Sequence, residues 1–245
     1  MQRLKNNKYN RLMVITALVL GDGCIDRERP DRLVIHHGIK QLEYIKWKKE
    51  LLEYLFSESI NLSLKDNGGY PSAMFRFRHP TVLRLRSSLY MDGRRRITEG
   101  ILNQMNHPAA WAIWYQDDGS MIHHKVTNKL TGIATINNRT IRLNANRYTG
   151  NELQLVAAWM SSRLGVTPRI EREGPYFRLA MGMQQGSKFI DYIKPFIVPS
   201  MTYKLDPQYG YVRVPRSGTP LKIQSDPGRD TGSPAEMTGP ASDGE

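Results

Sequence analysis

Ala17-Leu18-Val19-Leu20-Gly21-Asp22-Gly23 and Ala112-Ile113-Trp114-Tyr115-Gln116-Asp117-Asp118-Gly119 are two apolar stretches that each run into an acid and a glycine. Both read as helices stopped at the glycine. The helix dipole disfavours a carboxylate at a C-terminus, so an acid kept there points to a compensating positive charge, a metal ion among the candidates. Ala17 and Gly21 are four residues apart, share one face, and would let two such helices approach closely. Packed side by side, the helices bring Asp22 and Asp118 together. Paired carboxylates bind Mg²⁺, which activates water and stabilises the leaving oxygen of a phosphodiester. One helix ending in Asp-Gly is a weak signal; two of them, 96 residues apart in a chain of repeated architecture, are a stronger one.

The repetition appears on working outward. Leu12 to Gly21 is the first helix, and Arg32 to His36 alternates around Leu33 and Ile35. Gln41 to Phe56 has apolar residues at 44/45, 51/52 and 55/56, the helical period. Ile60, Leu62 and Leu64 alternate with polar residues as a half-buried strand, and Asp66-Asn67-Gly68-Gly69 has hairpin chemistry. Phe75 and Phe77 face away from Arg76 and Arg78, and Pro80 opens a helix to Tyr90. The second half repeats the order. Pro108 to Asp118 is aromatic-rich, with Trp111, Trp114 and Tyr115 assigned to packing. Arg139 to Arg147 alternates, Thr149 and Glu152 form a capping box for a helix to Gly165, and Ile170 and Phe177 to Met181 mark two strands. Gly186 to Ile197 closes the set, with an insertion expected around His123 to Asn138. This is an α+β chain of two pseudo-symmetric repeats, each an antiparallel β-saddle backed by helices. The expected boundaries are 1–100, 101–206 and a tail at 207–245, Pro- and Gly-rich and disordered from about 215.

The chain of 245 residues carries a formal charge of +12, and residues 1–205 alone carry +14. That excess suggests a polyanionic partner. Its residues line the polar strand faces: Arg32, His36, Lys65, Arg76 and Arg78 in the first half, with Arg27 beside them, and Arg139, Arg142, Asn144, Asn146, Arg169 and Arg178 in the second. Arg, Asn and His read base edges as well as phosphates, so these are the expected DNA contacts. Two such saddles would cover a long, asymmetric site on double-stranded DNA. The longest apolar run, Leu12 to Leu20, is too short for a membrane span. Cys24 alone excludes an intramolecular disulfide and a multi-cysteine zinc site, and it is expected to be small and buried. With no secretory signal visible, the expected location is intracellular, in cytoplasm or an organelle matrix.

The two acid–glycine helices resemble the signature helices of the LAGLIDADG homing endonucleases, in particular the monomeric two-motif branch. Ile193-Lys194-Pro195-Phe196-Ile197-Val198-Pro199-Ser200-Met201-Thr202-Tyr203-Lys204-Leu205 resembles that branch's closing segment, and Arg94-Arg95-Arg96-Ile97 takes the place of a Lys-Lys-x-Ile-Pro segment. The resemblance covers residues 10–206. It implies αββαββα repeats, signature helices at their interface, and saddles over the major groove. It also implies metal-dependent cutting of both strands with short 3′ overhangs. Mg²⁺ is the implied cofactor, with Mn²⁺ in substitution and Ca²⁺ binding without turnover. Asp22 and Asp118, with Gly23 and Gly119 after them, form the implied metal set. Lys204 is the implied basic residue and Arg95 its counterpart, which stabilises charge but cannot act as a base. Asp117 is assigned to a cap or interface, His123-His124 to the surface, and His36-His37 to a strand with one ring toward DNA.

The expected activity is a site-specific DNA homing endonuclease. The alternative is an intron RNA maturase, or a non-cleaving DNA-binding protein, on the same fold.

Overall fold

The computed structural model describes residues 4–66, 68–127 and 134–205, with side chains outside 125–137. The first repeat comprises α1 (Lys8–Leu20), β1 (Cys24–Ile25), β2 (Arg32–Gly38), α2 (Leu42–Phe56), β3 (Leu62–Asp66), β4 (Pro71–Arg78) and α3 (Pro80–Leu89). A short hairpin, β5 (Tyr90–Met91) and β6 (Arg94–Arg95), and helix α4 (Glu99–Gln104) lead to the second. That repeat is α5 (Pro108–Asp118), β7 (Gly119–Thr127), β8 (Ala134–Asn144), α6 (Gly150–Leu164), β9 (Arg169–Glu173), β10 (Tyr176–Met181) and α7 (Met183–Ile193). Two 3₁₀ turns, Lys194–Phe196 and Pro199–Lys204, follow it. The sheets are antiparallel and share one topology, β1-β2-β4-β3 in the first and β7-β8-β10-β9 in the second. The expected αββαββα order is therefore present twice.

Helices α1 and α5 lie at the centre. Met13 to Leu20 and Ala109 to Gln116 are buried on every side of their helices, the pattern of an element surrounded by protein. Trp111, Trp114 and Tyr115 have no exposure and serve packing. The two helices meet closely at Gly21, where a Cβ would sit 2.2 Å from Asp117 Oδ2. In β2 and β4, Leu33, Ile35, Phe75 and Phe77 face the helices while His36, Arg76 and Arg78 are exposed on the open side. Ile141, Leu143, Leu179 and Met181 do the same for the second sheet. The capping box forms, since the Thr149 side chain accepts the Glu152 N–H and Glu152 accepts from the Thr149 N–H at 2.7 Å.

Several expectations needed correction. Helix α1 begins at Lys8, not Leu12, because Asn7 caps it by accepting the Asn10 N–H at 2.9 Å. Leu64 is 64% exposed: β3 is an edge strand, and Ile60, which is buried, lies before it. Cys24 is exposed on edge strand β1. The last helix ends at Ile193, where Pro195 enters a 3₁₀ turn. The 207–245 tail and residues 128–133 of the expected insertion lie outside the described residues. Around them, 119–127 and 134–144 form a long hairpin with a register shift at His124/Lys125.

Candidate active site

The C-termini of α1 and α5 place three carboxylates at one seam. Asp22 follows the Gly21 cap of α1, and Asp118 is the last residue of α5. The Asp22 N–H donates to Asp117 Oδ2 at 3.0 Å and ties the two ends together. Burial, then the charges of Asp22 and Asp117, pushes the Asp118 carboxyl up to about 7. Burial and then Asp117 raise Asp22 as well. Acids held this way gain from a proton or a cation beside them. Asp118 forms no ion pair among the described residues, and the Asp22 side chain is 33% exposed. Hard, partly desolvated carboxylate oxygens suit Mg²⁺, Mn²⁺ or Ca²⁺, so the residues fit the implied ion.

Two cations close the helix ends. Arg95 donates from Nη1 to the carbonyls of Val19 (2.7 Å) and Gly21 (2.8 Å), and from Nη2 to that of Gly23. Lys204 Nζ donates to the carbonyls of Gln116 (2.5 Å) and Asp117 (3.0 Å). Burial lowers the Lys204 pKa, and Asp117, Asp118 and Asp22 oppose that. Both cations satisfy carbonyls that a helix end leaves unpaired and offset its negative dipole. Gly23 thus offers a carbonyl already engaged by Arg95; the Gly119 N–H closes on the Tyr115 carbonyl. Each repeat also sends a tyrosine across the seam. Tyr148 donates to the Leu20 carbonyl at 3.1 Å, and the Tyr44 hydroxyl donates to Asp117 Oδ1 at 2.8 Å, 3.3 Å from the Ile113 carbonyl.

Sequence reasoning missed Lys48. Its side chain and that of Asp117 are wholly buried, with Nζ 2.5 Å from Asp117 Oδ1 and 2.9 Å from His37 Nε2. The ammonium also lies over the Tyr44 ring at 4.4 Å. Burial, then Lys48, lowers the His37 pKa to about 4, so the imidazole is neutral. Its Nε2 accepts from Lys48, which assigns the proton to Nδ1, donated to Gln41 Oε1 at 2.7 Å. Ligand atoms of Asp22, His37 and Asp117 lie within 4.8 Å of one another, a spacing compatible with a metal ion. The Lys48 ammonium already serves Asp117 and His37 as their cation, so this trio is not an open metal site. The available signal was position: Lys48 sits between Tyr44 and Leu52 on the buried stripe of α2. Asp117 is an interface group, as assigned.

Most of the basic residues predicted for the saddles lie on the open faces. In the first, Arg32 pairs with Asp26 at 2.5 Å and Arg78 with Asp31 at 2.7 Å. His36, Lys65 and Arg76 are exposed there, and Arg27 is exposed in the β1–β2 loop. Of the two histidines His36-His37, His36 faces outward and His37 joins the seam. In the second, Arg142, Arg169 and Arg178 converge on Glu171 at 3.1, 3.4 and 3.2 Å, and Arg178 also meets Glu173. Asn144 is half-buried on β8, and Asn146 is exposed just beyond it. Arg139 is a correction. It shares strand parity with Ile141 and Leu143, and its guanidinium turns to Ser187 Oγ of α7 at 3.3 Å, on the helix side. His124 Nε2 lies 3.0 Å from Thr140 Oγ1 on the paired strand.

No helix among the described residues is long and apolar enough to cross a membrane. In sequence, the chain is 27% identical over 206 residues to Protein RecA of Mycobacterium shimoidei, covering 81% of this chain and 47% of that protein. It is 26% identical over 209 residues to Protein RecA of Mycobacterium leprae, covering 81% and 28%. It therefore spans less than half the length of these relatives. It is 28% identical over 118 residues to the cytochrome b mRNA maturase bI2 of Debaryomyces hansenii, covering 47% of this chain and 39% of the maturase. In fold, it is similar to the homing endonuclease I-WcaI bound to its DNA recognition sequence, with a TM-score of 0.64, 16% identity and coverage of 83% and 88%. It is also similar to I-SmaMI bound to uncleaved DNA target in the presence of calcium ions, with a TM-score of 0.51, 12% identity and coverage of 79% and 87%. The model of the LAGLIDADG DNA endonuclease family matches residues 12–189, across both acid–glycine helices and both sheets. The chain belongs to that family.

Proposed function

We propose that the protein is a site-specific DNA endonuclease of the homing type, which cuts both strands of a long asymmetric target and leaves short 3′ overhangs. One observation carries this reading: Asp22 and Asp118 stand at adjoining helix ends, each end closed by a half-buried cation, in a chain whose two open sheets are rich in Arg. Residues 1–100 and 101–206 act as its two halves, so a monomer supplies both acids.

A divalent ion, Mg²⁺ foremost, supplies a Lewis acid and a water of lowered pKa when bound. Asp22 and Asp118 would hold it, and their pKa values, raised first by burial and then by the neighbouring carboxylates, mark a site where a cation is favourable. Lys204 and Arg95 place positive charge where the phosphate gains negative charge. Arg95 contributes charge alone, because it stays protonated. Arg76, Lys65 and His36 in one half, and Arg142, Arg169 and Arg178 in the other, supply phosphate and base contacts. A cleavage screen of a randomised DNA library with Mg²⁺ tests the reading. Recovery of one discrete target, with loss of cutting but retained binding in Asp22→Asn and Asp118→Asn, supports it. Binding without any cutting overturns it.

The second reading, action on intron RNA, is favoured by the similarity to the cytochrome b mRNA maturase of Debaryomyces hansenii over 47% of the chain. Splicing of a cognate intron without DNA cleavage would decide for it.

A further inference from the structure

Lys48 and Asp117 form an ion pair with no solvent exposure of either side chain. Desolvation offsets most of the attraction in such a pair, so burial alone gives little reason for it. Its geometry shows what it holds. Asp117 Oδ1 receives the Lys48 ammonium at 2.5 Å and the Tyr44 hydroxyl at 2.8 Å, which leaves Oδ2 to accept the Asp22 N–H at 3.0 Å. His37, hydrogen-bonded to Lys48, stands with Nδ1 3.7 Å from Asp22 Oδ2. The backbone and one flank of Asp22 are therefore fixed through α5 and α2. The reciprocal support is missing, because the residue before Asp22 is Gly21, which has no side chain to offer α5.

We propose that Lys48 and Asp117 are positioning residues for the Asp22 carboxylate alone, so that the two acids of the seam are held by unequal means and the two DNA strands depend unequally on this pair. The proposal rests on the nuclease reading above. A misplacement of about 1 Å at a reacting group costs on the order of 100-fold in rate, so loss of this support is large enough to measure. The pair is net neutral. Removing both members leaves the net charge of the seam unchanged, but Asp117 acts on Asp22 more strongly than Lys48 does, so a change in cation affinity reports position when Tyr44→Phe, which removes no charge, moves it the same way.

The test uses the full chain as wild type and as Lys48→Met/Asp117→Ala, with Mn²⁺ as the probe. Free Mn²⁺ is measured by electron paramagnetic resonance without DNA, and strand-resolved nicking is followed on the target from the library screen. The double variant should bind Mn²⁺ at least about fivefold more weakly. It should also cut one strand about tenfold more slowly, with the other within about threefold. Equal slowing of both strands, or unchanged Mn²⁺ affinity and strand ratio, overturns the proposal. A wild type that binds Mn²⁺ and cuts neither strand counts against the nuclease reading, and the Mn²⁺ comparison then decides this one. A wild type that binds no Mn²⁺ overturns both. If the double variant does not fold, Tyr44→Phe, which removes one donor from Asp117 Oδ1, should move both readouts the same way by about threefold; no movement overturns the proposal.

Discussion

Arg95 and Lys204 are related by the internal repeat: Arg95 donates to three carbonyls at the end of α1, and Lys204 to two at the end of α5. One repeat uses a rigid five-donor fork and the other a point charge on a flexible stem. The ends differ in what they lose when the cation goes. Arg95→Met strands the Val19 and Gly23 carbonyls and leaves that of Gly21 to Arg147 at 3.3 Å, so with three charge-assisted bonds lost it should cost about 3 kcal/mol in urea unfolding. Lys204→Met should cost roughly 1–2 kcal/mol on the same scale. Equal costs would mean that water replaces the arginine.

A second expectation concerns pH. The folded pKa of Asp118, about 7, lies above the ordinary 3.8, so the folded state holds its proton more tightly. Folding loses nothing below pH about 4; the penalty grows between 4 and 7 and levels off above 7. At 1.36 kcal/mol for each pH unit between the two values, it reaches roughly 4 kcal/mol without metal. Asp118→Asn should therefore be more stable than wild type at pH 8 and close to it at pH 4, by calorimetry in chelator. Millimolar Mg²⁺ should narrow the gap at pH 8 by stabilising only wild type. A gap independent of pH would show that Asp118 is ionised throughout.

The repeat, the seam and most of the open-face arginines were legible in the sequence because each rests on local chemistry: glycine after acid, alternation, a capping box. What escaped was set by partners far along the chain. Lys48 looks like one more lysine on a polar helix until Asp117, 69 residues away, is found beside it. Strand β1 has two residues, too few for any period to show. Arg139 misled because its charge suggested the open face, although parity with Ile141 already placed it on the other. Glu171 draws arginines from its own strand and from β8 and β10, a convergence that only the sheet order reveals.

That convergence gives the third expectation. Glu171 holds Arg142, Arg169 and Arg178 away from any phosphate until a duplex competes for them. Glu171→Gln should free Arg142 and Arg169, while Glu173 keeps Arg178. Binding to random-sequence duplex should tighten, and the log–log salt slope should steepen by about 1 to 2, at roughly 0.9 per added phosphate contact. Discrimination for the cognate target should fall. An unchanged slope would mean that the arginines stay off the phosphates even when released.

The fourth concerns the closest approach in the seam. A methyl group on residue 21 would meet Asp117 Oδ2 at 2.2 Å and its Cβ at 2.7 Å, inside any tolerated contact. Neither helix can easily give way, since both are buried where they meet, from Met13 to Leu20 and from Ala109 to Gln116, and tied by Asp22 to Asp117. Gly21→Ala should therefore cost about 3 kcal/mol, the upper range for overpacking a filled core. Because the clash is with one side chain, it should disappear when that side chain does. In Lys48→Met/Asp117→Gly, which removes the Cβ as well, adding Gly21→Ala should cost roughly 1 kcal/mol or less, leaving a coupling of about 2 kcal/mol in a thermodynamic cycle from urea melts. An additive result would mean that the cost does not come from the contact with Asp117.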